Sequence, residues 1–385
     1  MVKKIMALFF LFCLSFQITE ISSEAYSNIK DNSEYSVNEI IPQEIYAYIT
    51  VDIRKDVLTL LEDAADNFGI HKEDIDQLTW DNAYAIYNMD EEVQKREYFF
   101  PIVDREKKVI ANIAVLDTEY GIQYSISQDM ISSLNKLDDW KKCIFYKQGN
   151  TILAQKNDII YNITEGKVSG KFADKTIQEK KKIISNDLKK AKQIEIKQSA
   201  SMVSKKELRS YTPSFSNDLG YYYLKLYNAQ GQGDYNLCWA ASAATIINYR
   251  LGQNVTAKNI ADKLGKGYNE GGSLNDIGNG LRAFGIYHYY SSHNMLSFEN
   301  VMKNIKAKYP IAMICQAIKT GVMGHVVTIY GFRNLTSGKY LICWDSYEKP
   351  REEGNVRIMN YNQNGSIFLS ENAEYIWNET VFGTW

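Results

Sequence analysis

From Ile5 to Phe16 the chain is an apolar run interrupted only by Ser15, preceded by Lys3 and Lys4. Such a run is short for a bilayer span and suits the core of a signal peptide. Cleavage near Ala25 and export are therefore expected, with a single N-terminal anchor as the alternative. The period then changes. Val57, Leu58, Leu60, Leu61, Ala64, Ala65 and Phe68 recur at helical spacing, and Gly69 suits a C-terminal cap. Short alternating runs follow at 98–103, 109–116, 121–126, 143–147 and 151–154, separated by turn signals. They predict an antiparallel meander with a helix packed on one face. Beyond residue 174 a Lys-rich stretch, QEKKKIISNDLKKAKQ, reads as a solvated helix face or a linker open to proteolysis.

Charge and glycine divide what remains. Residues 26–215 carry 58 charged positions in 190, and residues 216–385 only 28 in 170. Of the 23 glycines, 18 lie after residue 215. Glycine marks tight turns and close backbone approach, so the second half reads as the loop-rich domain that houses a site. A net charge of −2 argues against a dedicated nucleic-acid binder and against a polybasic membrane-surface protein. Five cysteines are too few for a disulfide scaffold, and neither CxxC nor HExxH occurs, so no metal site or cofactor is expected.

Chemistry concentrates in two segments. In GQGDYNLCWAASAATIINYRLGQ, Trp239–Leu251 predicts a helix with Ala240, Ala243, Ala244, Ile247 and Leu251 on one face, ended by Gly252. Cys238 opens it, where unpaired N–H groups and the helix dipole favour a thiolate. Gln232, on the preceding loop, can fold back and offer an amide near the sulfur. Taken alone, Cys238 reads more readily as a small buried hydrophobe in an Ala-rich helix. In GHVVTIYGFRNLTSGKYLICWDS, the runs 325–330 and 340–344 flank a turn at 334–338. A hairpin centred on Leu335 would set His325 directly opposite Asp345, close enough for the carboxylate to orient the imidazole. His71, His288 and His293 lie in charged or Tyr-rich surroundings and are less suited to catalysis. Cys315 and Cys343 sit in apolar strand-like runs, where buried free thiols are the default; a bond between them is the alternative.

These residues resemble the papain-like cysteine peptidases. Gln232, Cys238-Trp239, His325 and Asp345 stand in that family's order, with its six-residue Gln-to-Cys gap. In NEGGSLNDIGNGLRAFGI, Gly272 and Gly285 repeat the spacing between its cleft-lining Gly-Gly pair and a later Gly-Ile. The resemblance implies an α+β fold for 216–385, a helical subdomain plus an antiparallel β subdomain. It implies Cys238, His325, Asp345 and Gln232 as catalytic residues, and Gly271 and Gly272 as a substrate-binding edge. Asp345 in place of Asn, and the lack of the plant enzymes' disulfides, bring it nearer to bacterial secreted zymogens of the staphopain and streptopain type. By that analogy 1–25 is a signal peptide, 26–173 an α+β pro-region acting as intramolecular inhibitor, and 174–215 an activation segment. The expected partners are protein or peptide substrates, with no stable membrane insertion once the signal is removed. A transglutaminase-like or acyltransferase enzyme using the same three residues, and an inactive binding protein of the same fold, are the alternatives.

Overall fold

A computed structural model of the chain describes residues 41–88, 96–148, 151–156, 159–163, 169–172, 220–319, 321, 323–347, 354–370 and 373–383. The expected signal peptide and the linker at 174–215 lie outside the described residues, as do 26–40 of the expected pro-region.

Helices open the N-terminal module: α1 (Gln43–Ala47), α2 (Arg54–Asp63) and α3 (Ala65–Phe68). The expected helix therefore divides at Ala64, whose backbone leaves the helical region (φ −109°, ψ 20°). Gly69 does close it in the left-handed conformation at φ +66°. The apolar stripe Val57, Leu58, Leu60 and Leu61 is buried, joining a core that also contains Ile113, Val115 and Ile126 of the strands. β1 (Thr79–Trp80) and β2 (Tyr84–Asn88) pair with β3 (Arg96–Val103), which continues antiparallel into β4 (Val109–Thr118) and β5 (Gly121–Ser127). A second antiparallel run comprises β6 (Ile144–Gln148), β7 (Thr151–Lys156), β8 (Ile159–Asn162) and β9 (Ser169–Phe172). The two runs join through a parallel seam, Ile86 beside Phe145, which the alternating pattern does not foretell. β6 is reached through a helical connection, α4 (Ile131–Lys136), rather than a tight turn, so it is free to run parallel to β2.

The C-terminal segment adds β10 (Tyr221–Tyr223) and three helices, α5 (Cys238–Leu251), α6 (Ala257–Leu264) and α7 (Leu274–Ala283). β11 (Tyr290–Ser292) and α8 (Phe298–Lys306) lead into β12 (Ile311–Ala317), β13 (His325–Asn334), β14 (Lys339–Asp345), β15 (Asn355–Asn360), β16 (Ile367–Ser370) and β17 (Ala373–Phe382). Capping boxes at Thr256 and Ser273 start α6 and α7. α5 is buried all round from Trp239 to Asn248, not on one face, because α6 and α7 cover one side and β12 and β13 the other. Leu251, expected on the buried face, is exposed at the helix end.

β15 pairs antiparallel with β5, Ile358 beside Ile126 and Met359 beside Ser125. The strands of both segments thus belong to one hydrogen-bonded network, in a mixed α+β arrangement of a large sheet and several helices. Side chains reinforce the junction. Asp56 accepts hydrogen bonds from Tyr340 (2.6 Å) and Ser337 (2.5 Å), and Tyr221 Oη donates to the carbonyl of Asp63 (2.7 Å).

Candidate active site

Cys238 is the first residue of α5, after Leu237. The first intrahelical bond runs from Ala241 N to Leu237 O (2.8 Å), so the amide of Cys238 has no partner further back in the helix. The next residue, Trp239, is fully buried and donates from Nε1 to the carbonyl of Glu270 (3.2 Å). A Cβ on Gly272 would lie 2.2 Å from its ring, whereas one on Gly271 would meet nothing within 4 Å. Of the two expected cleft glycines, Gly272 is thus required by packing against Trp239 of α5. Gly271 faces open space.

The loop before Cys238 is pinned to the same helix: Gln230 N donates to Thr245 Oγ1 (3.0 Å) and Asn248 Nδ2 to the carbonyl of Asn228 (2.9 Å). Gln232, buried, receives Ser346 Oγ on Oε1 (3.1 Å) and donates from Nε2 to the carbonyl of Tyr235 (2.6 Å). A primary amide has two N–H donors, so one remains for another acceptor. Ser346, which orients this amide, was not singled out by the motif; its signal is only its place directly after Asp345.

His325 opens β13, whose side facing α5 carries Thr328, hydrogen-bonded to Ser242 of the helix (2.5 Å). Gly324 precedes it because a Cβ there would come within 2.7 Å of the Cys315 carbonyl. The β13–β14 register differs from the hairpin expectation. Asn334 pairs with Lys339 and Gly331 with Ile342, and a bulge at Tyr330 then shifts the ladder so that Thr328 meets Trp344. His325 therefore extends past the paired part of β14 and lies beside Cys315 of β12. The side chains nevertheless meet: His325 Nε2 is 2.7 Å from Asp345 Oδ1, and both residues are buried. With Nε2 engaged, Nδ1 is the ring nitrogen left for Cys238, which lies near enough to favour the charged imidazole.

Burial by itself would favour neutral imidazole. Asp345, by charge and hydrogen bond, and then Cys238 outweigh it and raise the His325 pKa to about 10. Asp345 has no exposed surface. Although burial opposes ionisation, His325, Arg357 and the Tyr347 amide (3.0 Å) hold its carboxyl well below the usual range. The second carboxylate oxygen receives Arg357 Nε (3.0 Å) and Ser370 Oγ (3.2 Å). Neither Arg357 nor Ser370 carries a readable motif signal, because both arrive from other strands.

Burial raises the thiols of Cys315 and Cys343, which therefore stay protonated; both are free, as is Cys238, which is partly exposed. His293 bonds Glu379 (2.6 Å) at the surface, and the backbone carbonyl of His288 accepts from Tyr309 Oη (3.4 Å). Among the described residues no cluster of three or more His, Cys, Asp or Glu is arranged to hold a metal. The arrangement can hold an imidazolium beside a sulfur, with amide donors nearby, which suits acyl transfer through a thioester.

Residues 221–379 match the model of the Peptidase_C39 like family. No curated protein matches the chain. Among solved structures, one from a study of limited antibody cross-reactivity between the mite allergens Blo t 1 and Der p 1 aligns at 15% identity and a TM-score of 0.28. It covers 40% of this chain and 67% of that one. The segment carrying Gln232, Cys238, His325 and Asp345 is thus similar to a peptidase family, and that similarity supports a cysteine-peptidase type of function.

Proposed function

We propose that the chain is an exported cysteine endopeptidase, made as a precursor and acting through a papain-like site. Cys238 gives its proton to His325, forming a thiolate–imidazolium pair that Asp345 keeps oriented. The sulfur attacks a peptide carbonyl, and the oxyanion is held by the Cys238 amide and the second N–H of Gln232. Collapse expels the amine, which takes the proton from His325, and leaves a thioester on Cys238. Water, deprotonated by His325, then cleaves the thioester and frees the acid. Gly271 lies where an extended substrate backbone could run unobstructed. In this reading 26–173 is the pro-region that restrains the enzyme, and 174–215 is where it is cut.

The buried His325–Asp345 hydrogen bond, with Cys238 near enough to favour the charged ring, is the observation that carries this reading. Casein hydrolysis by matured wild-type protein, and its absence in Cys238→Ala, is the expected result. A thiol-directed epoxide should label Cys238 and leave the variant unlabelled. Normal cleavage by the variant would remove the nucleophile assignment. Added amine that captures the acyl group in place of water would turn the assignment from hydrolase to transferase.

A further inference from the structure

Behind Asp345 lies a buried cation that the proposed mechanism does not use. Arg357, on β15, has no exposed surface. Its guanidinium has five N–H donors, and among the described residues five acceptors face it. Nε meets Asp345 Oδ2 (3.0 Å), Nη1 meets the Leu369 carbonyl (2.6 Å) and Ser125 Oγ (3.4 Å), and Nη2 meets Asp129 Oδ2 (3.1 Å) and Ser370 Oγ (3.3 Å). Two of these partners, Ser125 and Asp129, belong to the N-terminal module. They are brought there by the pairing of β5 with β15. The adjoining Gln128 bonds Asn355, which stands opposite Asp345 in the β14–β15 ladder.

We propose that Arg357 is a positioning residue for the His325–Asp345 pair, and that the N-terminal module tunes it by supplying Asp129 to the far side of its guanidinium. The assignment rests on reading His325 as the catalytic base. The four groups form a line of alternating charge: imidazolium, carboxylate, guanidinium, carboxylate. Asp345 is shared between two cations, and Arg357 between two carboxylates. Only a planar fork reaches both carboxylates at once, so lysine would not substitute. Neutralising Asp129 removes one of the two carboxylates that share Arg357, draws the guanidinium charge onto Asp345 and weakens the hold of Asp345 on the imidazolium. Removing the guanidinium charge has the opposite sign, because His325 then has Asp345 to itself. Among the described residues, the other titratable groups around the ring are Cys238 on α5, Cys315 on β12, and Tyr347 and Tyr375, whose rings lie 5.8 and 5.4 Å from it. The module therefore bears on the catalytic pair from behind, through the sheet, whatever it does at the cleft.

The test is a ring-proton NMR titration of the full chain, in which only four histidines contribute. Asp129→Asn should lower the His325 midpoint by about half to one pH unit, the scale of one charge acting across a protein interior of dielectric about 20. The double variant Asp129→Asn/Arg357→Gln removes both buried charges together, so neither is orphaned, and should bring the midpoint back to or above that of the wild type. An unchanged midpoint in Asp129→Asn would overturn the proposal, as would equal downward shifts in both variants, which mark loosened structure. The titration does not depend on peptide cleavage. An inactive chain with the fall in Asp129→Asn and its reversal in the double variant would sink the peptidase reading alone, and an active one without them would sink this proposal alone.

Discussion

His325 and Asp345 are close to each other for a reason local to their side chains. Two buried ionisable groups at 2.7 Å stabilise each other's charged form, and that mutual effect sets the pH response of the site. The His325 pKa is raised from 6.5 to about 10. Its contribution to stability is fully present below pH 6.5 and lost as pH rises through about 10. On the proposed mechanism, the alkaline limb of kcat/KM on a fluorogenic peptide should therefore fall near pH 10 rather than near neutrality. Asp345→Asn keeps an acceptor for Nε2 but removes the charge, and should move that limb down by about 1–3 pH units. A limb that stayed in place would show that the carboxylate does not control the imidazole. Gly272 is a second residue-scale case. A methyl group placed 2.2 Å from the Trp239 ring forces α5 or the 268–273 loop to move. Gly272→Ala should cost about 1–3 kcal/mol in denaturant unfolding, while Gly271→Ala should cost little.

Between elements, the junction of α2 with the C-terminal strands carries its own pH dependence. Asp63 is partly buried beside Arg333 (3.4 Å). Desolvation, only partly offset by Arg333, raises its pKa from 3.8 to about 6. The folded state therefore binds this proton more tightly than the unfolded chain does. Stability from this site grows as pH falls from about 6 to about 4 and is lost as pH rises through about 6. Urea midpoints at pH 7 and pH 5 should show this gain in the wild type, and Asp63→Asn should remove the site's share of it. An identical pH response in the variant would place the effect elsewhere.

Across the whole molecule, one buried core runs through both segments, joining Val57, Val115 and Ile126 to Tyr340, Ile358 and Met359. Such a core predicts that the segments unfold together. Trp80 and Trp140 report on the first, Trp344 and Trp377 on the second. Tyr340 is central, donating to Asp56 and accepting from Tyr124 (3.0 Å). Tyr340→Phe leaves buried polar groups short of a partner and should cost about 1–3 kcal/mol. Single-tryptophan probes in both segments should shift to the same lower denaturant midpoint. Two separated transitions would show that the segments are independent.

What local pattern could encode was readable without coordinates. Helical spacing ended by Gly252 located α5, alternation located β3–β7 and the β13–β14 hairpin, and the Gln-Cys-His-Asp order picked out side chains of which His325 and Asp345 do hydrogen-bond. These features depend on neighbours a few residues apart or on residue chemistry alone. Tertiary structure decided the rest. The bulge at Tyr330 that shifts the hairpin register is invisible in the alternation of side chains, because it depends on how β13 packs on its neighbours. The parallel β2–β6 seam, Ser346 behind Gln232, and Arg357 held between Asp345 and Asp129 all join residues distant along the chain. No local period records such meetings; they exist only once strands from both halves share one sheet.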